Sequence, residues 1–437
     1  MRTLVSRGFS LAAGAALSIL IARKLGPEGQ GLYSLCANAA VVASLFVNCG
    51  LGLSNVYFLG KKLRPPGEVA SLSLGFGVAG GAAAFCLATL AVLFLRVPGL
   101  AGVPAWALVL AFAAVPFLNI SEYYSYFLIG SDRILQFNLL SVGRNAAQFL
   151  LAALLIAGVG LGLAGAVGSW TLSFALASAA ALVLVRRLTP VRFSLERSLM
   201  KPVVWFGVKG YLSRIASFLY YRIGMFIVSY YLGATAVGHY AIAILLAELL
   251  WNIPSSLAPA VMLKSASEES GSRDRVTAAA CRHTVLMCGF AGVAMALLAG
   301  PVIRLAFGTA YLPAVKPLLI LLPGTALLSI GSVLANDFVG RGKQVMNSFA
   351  ALVTLVVNVA LSLAFVPVWG TAGAAAAAAV SYATGTIVMV VEFVRITGMK
   401  PAEALVPRGR DIRAYAQLAG RLMGRPSDSS QSSGDNS

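Results

Sequence analysis

Apolar residues run along this chain in long, unbroken stretches of 20 or more, separated by short polar breaks. Twelve can be placed, at 4–23, 33–58, 69–95, 104–129, 135–158, 161–185, 203–232, 235–262, 277–306, 313–338, 347–367 and 371–395. A run of about 20 apolar residues crosses a bilayer core as a helix. None of the stretches alternates with period two, which excludes a transmembrane β-barrel. The pattern predicts an all-α polytopic membrane protein with twelve transmembrane helices. The first stretch begins like a signal peptide, but Arg23-Lys24 stands where a small-residue cleavage site belongs, so it is expected to be a retained span.

The spacing of turn residues predicts a duplication. Leu25-Gly26, Gly31 and Tyr33 return as Leu232-Gly233, Gly238 and Tyr240, an LG-x4-G-x-Y pattern repeated 207 residues on. Pro116 and Pro323 share that offset. Gly162-x-Ala164-Gly165-Ala166 matches Gly370-x-Ala372-Gly373-Ala374, and Phe127-Leu-Ile-Gly130 matches Phe338-Val-Gly340. Six spans return a chain to its starting side, so the copies are expected to be two parallel six-helix lobes around a central cavity. The expected divisions are an N-terminal lobe at 1–185, a cytoplasmic linker at 186–202, a C-terminal lobe at 203–396, and a cytoplasmic tail at 397–437. In the tail Ile412, Tyr415, Ala419 and Leu422 form one stripe of a short basic interfacial helix, followed by a Ser-rich disordered end.

Composition agrees. Of 437 residues, 59% are hydrophobic and 11% charged, against about 25% charged in soluble domains. With both termini cytoplasmic, Lys and Arg number 24 in the inner segments and 5 in the outer ones, a strong positive-inside asymmetry. The net charge of +18 is thereby accounted for by loops facing anionic inner-leaflet lipid, with no nucleic-acid partner.

The candidate chemistry lies in charges placed inside apolar stretches. Cys36, Cys49, Cys86, Cys281 and Cys288 show no C-x-x-C pattern, and His239 and His283 have no metal-ligand spacing, so no metal, cofactor or catalytic residue is expected. Arg144, Lys209, Arg214 and Arg222 are cations within spans, and Glu122 and Glu248 are acids within spans, with Asp337 near a span end. Each costs about 2.5–3.5 kcal/mol at a helix centre, so they are expected to face water or one another. One reading is a cationic cavity for an anionic headgroup, lined by Arg144, Arg214, Arg222 and Lys209 with Asn48 and Asn252, since arginine's planar fork suits phosphate. Under the other reading these arginines pair internally, for example Arg214 with Glu248. Lys209 is close enough to the inner surface to snorkel. Glu248, Glu122 and Asp337 are candidates for ion coupling, although Glu122, in NISEYYSYF, also fits an interfacial aromatic belt.

ARKLGPEGQGLYSL followed by FVNCGLGLSNVYFLGKK resembles the first hairpin of bacterial polysaccharide exporters, the Wzx-like oligosaccharide-lipid flippases of the superfamily that also holds MATE drug antiporters. YYRIGMFIVSYYLGATAVGHYA, FVGRGKQ and VWGTAGAAAAAAVS extend the resemblance over roughly residues 1–400. It implies alternating access in the bacterial plasma membrane. The implied substrate is an undecaprenyl-diphosphate-linked oligosaccharide carried from inner to outer leaflet, with a polysaccharide polymerase or glycosyltransferases as working partners. Gly224 stands where many relatives carry an acid, a departure that weakens family-typical ion coupling. The alternatives are a MATE-like drug or metabolite antiporter, disfavoured by a basic cavity, and a polytopic glycosyltransferase or ligase, disfavoured by short outer segments nearly free of Asp, Glu and His.

Overall fold

The computed structural model describes residues 2–95, 97–251, 261–263, 265 and 270–406. These residues form helices and turns, with no strand among them. In chain order the helices are α1 (Arg2–Asn48), α2 (Leu51–Gly60), α3 (Pro66–Leu95), α4 (Ala105–Phe112), α5 (Val115–Gly130), α6 (Ile134–Ala152), α7 (Gly162–Arg186), α8 (Arg197–Glu248), α9 (Ser270–Ala306), α10 (Val315–Gly340), α11 (Gln344–Thr397) and the short α12 (Pro401–Leu405). A π turn, Ala153–Gly158, extends α6.

Nine helical stretches among the described residues are long and apolar enough to cross a membrane. Three of them bend at one non-helical glycine: Gly26 in α1, Gly233 in α8 and Gly370 in α11. α11 carries two of the expected spans, one on either side of its glycine, while α1 and α8 carry one expected span before the glycine and the beginning of the next after it. Gly26 (φ 69, ψ −175) and Gly233 (φ 78, ψ −177) adopt nearly the same backbone conformation, one that glycine alone tolerates. The repeated LG-x4-G-x-Y turn is thus repeated in three dimensions as well as in sequence.

Two expectations about continuity need correction. The stretch 33–58 is not one helix: Cys49 (φ 51) and Gly50 (φ 69) both enter the left-handed region and separate α1 from α2. The paired prolines also behave differently. Pro116 follows a break between α4 and α5, whereas Pro323 is absorbed inside α10.

The chain forms two compact units. The first comprises Met1–Ala247, Leu298–Leu321 and Ala351–Ser381; the second comprises Glu248–Leu297, Leu322–Ala350 and Tyr382–Ser437. In the first, α3 packs on α5, and α6 packs on α1 and α7. Its core includes Leu59, Val69, Ala70, Ile120, Tyr124, Phe127, Leu128, Ala181 and Val185. The two copies of the repeated turn meet here. A Cβ on Gly31 would strike the Ala234 carbonyl, and one on Gly238 would strike the Pro27 carbonyl. Since 27 and 31 correspond to 234 and 238, the contact is reciprocal. Beside it, Arg23 donates to the carbonyls of Leu305 and Ala306, satisfying orphan acceptors at the C-terminal end of α9.

The segment between α7 and α8 is laid along α3, where small residues make room for it. Ser71 accepts from the Arg192 amide at 3.0 Å, and side chains on Gly67 or Gly75 would meet Pro190 or Ser194 backbone. The expected linker, 186–202, ends inside α8, which begins at Arg197.

In the second unit, Phe338, Phe393, Val333 and Leu334 share a core with Ala404 of α12, and Arg282 donates to the Glu403 carbonyl at 2.7 Å. The expected interfacial helix and tail lie outside the described residues beyond 406.

Candidate functional site

Three of the predicted site residues come together in the first unit. Asn48, at the C-terminal end of α1, and Glu122, on α5, face each other across a buried polar seam. Asn48 Nδ2 donates to Glu122 Oε2 at 3.3 Å and to Asn119 Oδ1 at 3.2 Å, and Ser44 Oγ also donates to Asn119 Oδ1, at 2.8 Å. Glu122 Oε1 lies 2.7 Å from Arg214 Nη2, and Arg214 Nη1 donates to the Tyr126 hydroxyl at 3.4 Å. The Arg214 side chain is 41% exposed and that of Glu122 18%, so the acid is held from behind while the cation reaches the open side. The internal pairing considered from sequence is present, with Glu122 as the acid.

The helices position these groups by period. Ser44 and Asn48 are one turn apart on α1, Asn119, Glu122 and Tyr126 share a face of α5, and Tyr211 and Arg214 share one of α8. Arg214 lies 5.9 Å from the Tyr211 ring. The Tyr211 hydroxyl and Asn119 Nδ2 are buried with no hydrogen-bond partner among the described residues. The break at Cys49–Gly50 gives the N-terminal stretch of α8 its place. A Cβ on Gly207 would strike the Cys49 and Gly50 backbone, Ser54 Oγ donates to the Val203 carbonyl at 2.7 Å, and the Tyr57 and Phe206 rings stack at 4.2 Å.

Arg144 sits elsewhere in the same unit, on α6. Its guanidinium lies 4.8 Å above the Phe174 ring and donates to Asn145 Oδ1 at 2.8 Å. One turn along α6, Gln148 donates to the Tyr33 hydroxyl at 3.0 Å. No carboxylate pairs with Arg144 among the described residues. A guanidinium stacked on a ring, with no carboxylate beside it among the described residues, retains donors that can meet an anion.

The remaining candidates are dispersed. Arg222 is half-buried on α8 and Glu248 half-buried at its end. Asp337 is fully buried in the second unit, where Ser265 Oγ and Thr277 Oγ1 donate to Oδ1 at 2.5 and 2.9 Å. Arg341 bridges Asp337 and Asp274 there, with contacts of 2.5 and 2.7 Å. Asn252 and the side chain of Lys209 lie outside the described residues. A Cβ at Gly224 would lie 3.2 Å from the Tyr240 hydroxyl, so a larger residue there needs the Tyr240 ring to shift slightly. No group of three metal-ligating side chains occurs among the described residues. Sequence reasoning missed Ser44, Asn119, Tyr126, Tyr211, Tyr33, Gln148 and Phe174. The available signal was the recurrence of polar residues three or four apart within apolar stretches.

Comparison with known proteins gives a family and a fold. The model of a family described as polysaccharide biosynthesis protein matches residues 3–265. No curated sequence matches the chain. Among solved structures, the inward closed lipid II flippase MurJ aligns with a TM-score of 0.77 at 14% identity, covering 98% of this chain and 93% of its own. An inward-facing multidrug resistance MATE family transporter of the MOP superfamily also gives 0.77, at 17% identity, covering 91% and 98%. A MOP superfamily transporter from Pyrococcus furiosus, noted for the reverse polarity of its binding pocket, gives 0.64 at 15% identity, covering 92% and 94%.

Proposed function

We propose, on the premise that this chain belongs to the polysaccharide biosynthesis protein family, that it is a flippase for an undecaprenyl-diphosphate-linked oligosaccharide. It moves the saccharide-diphosphate head from the inner to the outer leaflet of a bacterial plasma membrane by alternating access, with both termini cytoplasmic. The chain is a multi-pass membrane protein with the fold of MOP superfamily transporters. What this proposal adds is the substrate, the direction and the residues.

The observation that carries it is Arg144, a span cation with an aromatic seat and no carboxylate partner among the described residues. Such a group is costly inside a bilayer protein unless an anion visits it. In the proposed cycle Arg144 receives one phosphate of the diphosphate. Arg214 takes the charge that remains, and the polyprenyl tail stays in lipid. Tyr33, Gln148, Asn48 and Tyr126 supply hydrogen bonds of the kind a sugar hydroxyl uses.

The test is complementation of a strain lacking the gene. Arg144→Ala is expected to abolish surface polysaccharide while lipid-linked oligosaccharide accumulates on the cytoplasmic side and the protein remains in the membrane. Arg144→Lys is expected to recover only part, because an ammonium lacks the planar fork. Full export by the Arg144→Ala protein would remove Arg144 from the mechanism. The fold likeness to a MATE transporter supports a second reading, drug or metabolite antiport. Altered drug sensitivity without accumulated lipid in the deletion strain would favour it.

A further inference from the structure

The two candidate arginines differ in what occupies them. Arg144 meets an amide and a ring, whereas Arg214 already holds an anion, Glu122, at 2.7 Å. That anion is tethered. Asn48 grips its second oxygen, and the α5 backbone fixes its reach. A guanidinium carries five N–H donors; among the described residues Glu122 and Tyr126 engage one on each Nη group, so Nε–H and one N–H on each Nη are left, on a side chain that is 41% exposed.

We propose that Glu122 is a built-in competitor: it occupies Arg214 between transport cycles, and the site opens only to a headgroup that binds the guanidinium more strongly than a carboxylate does. The inference rests on the flippase reading, in that the substrate head is a diphosphate. Displacing Glu122 costs every ligand the same free energy, so the ratio of intrinsic affinities does not change. What changes is the threshold. A phosphodiester headgroup of a bulk lipid carries one negative charge and makes one contact of the fork type; it falls below the threshold and leaves the site self-occupied. A diphosphate brings more negative charge and more acceptor oxygens to the one guanidinium, and it clears the threshold. Glu122 thus protects a transporter surrounded by anionic phospholipid from being filled by it. The released carboxylate still has the Asn48 amide to accept from, and Asn119 Nδ2, buried without a partner, stands beside that seam.

The test uses full-length wild type, Glu122→Gln and Glu122→Asp in lipid nanodiscs, with undecaprenyl diphosphate as the probe. Binding is measured in zwitterionic lipid and again with phosphatidylglycerol added. In zwitterionic lipid, Glu122→Gln is expected to bind the probe about tenfold more tightly than wild type. Added phosphatidylglycerol should leave wild-type binding unchanged and weaken binding to Glu122→Gln. Glu122→Asp, which keeps the charge but loses a methylene of reach, should fall between the two. It carries the test if Glu122→Gln fails to fold. Equal sensitivity of wild type and variant to phosphatidylglycerol, or weaker probe binding by Glu122→Gln, would overturn the proposal while leaving the flippase reading intact. A wild type that does not bind undecaprenyl diphosphate in either lipid would remove both.

Discussion

Two ion clusters, one in each compact unit, use the same residue types to opposite ends. Around Asp337, Arg341 faces two carboxylates, Arg273 lies 3.9 Å from the second of them, Asp274, two hydroxyls donate to Asp337, and the Phe393 ring lies 5.6 Å from the Arg341 guanidinium. The side chains of Arg341 and Asp337 are 4% and 0% exposed. Around Arg214, one carboxylate faces one guanidinium that is 41% exposed and has a tyrosine hydroxyl for company. At the Asp337–Arg341 pair the first cluster is sealed from solvent. The second ends on an exposed guanidinium. A sealed pair ties its helices together, whereas an exposed one can meet a ligand. Asp337 is an ion-coupling candidate by sequence, and its surroundings are also those of a structural lock.

The contrast can be broken by substitution. Asp337→Ala leaves Arg341 with Asp274 and leaves the buried Ser265 and Thr277 hydroxyls without their acceptor, and is expected to cost about 3 kcal/mol, measured by denaturant unfolding in detergent. A loss below about 1 kcal/mol would show that the cluster is no lock. Next in size is Gly26→Ala, which places a Cβ on a conformation glycine alone tolerates and is expected to lose about 1–3 kcal/mol. Gly233→Ala should cost a similar amount, because its backbone angles are nearly the same. Clearly unequal losses would mean that the two bends are not equivalent. The smallest stability effect belongs to Arg214→Ala, about 1 kcal/mol, because the cation is 41% exposed and Glu122 keeps its hydrogen bond from Asn48. In the proposed cycle it nevertheless abolishes export. Retained export, or a loss of stability as large as that of Asp337→Ala, would erase the distinction.

Much of the fold was legible in the sequence because bilayer thickness sets helix length, and glycines at a fixed offset mark the bends. Gly26 and Gly233 were matched by spacing alone and have matching dihedral angles. The break at Cys49–Gly50 was not legible, because VNCGLG is apolar enough to read as unbroken helix; it becomes necessary only once Gly207 lies against it. The site was legible as a list of charged residues within spans but not as contacts. Glu122, Asn48 and Arg214 stand on three helices far apart in the chain, and periodicity orders residues only within one helix. Glu122 fitted an interfacial belt because tyrosines surround it in NISEYYSYF. Two of the tyrosines there, Tyr123 and Tyr126, instead bond to the Asn48 carbonyl and to Arg214.

The reciprocal fit of Gly31 against Ala234 and Gly238 against Pro27 makes each copy of the turn the mould for the other. A methyl group gained by either copy pushes on a main-chain carbonyl of its twin, which cannot swing aside as a side chain would. Each turn thereby holds the other to glycine, a constraint the helices on either side do not share.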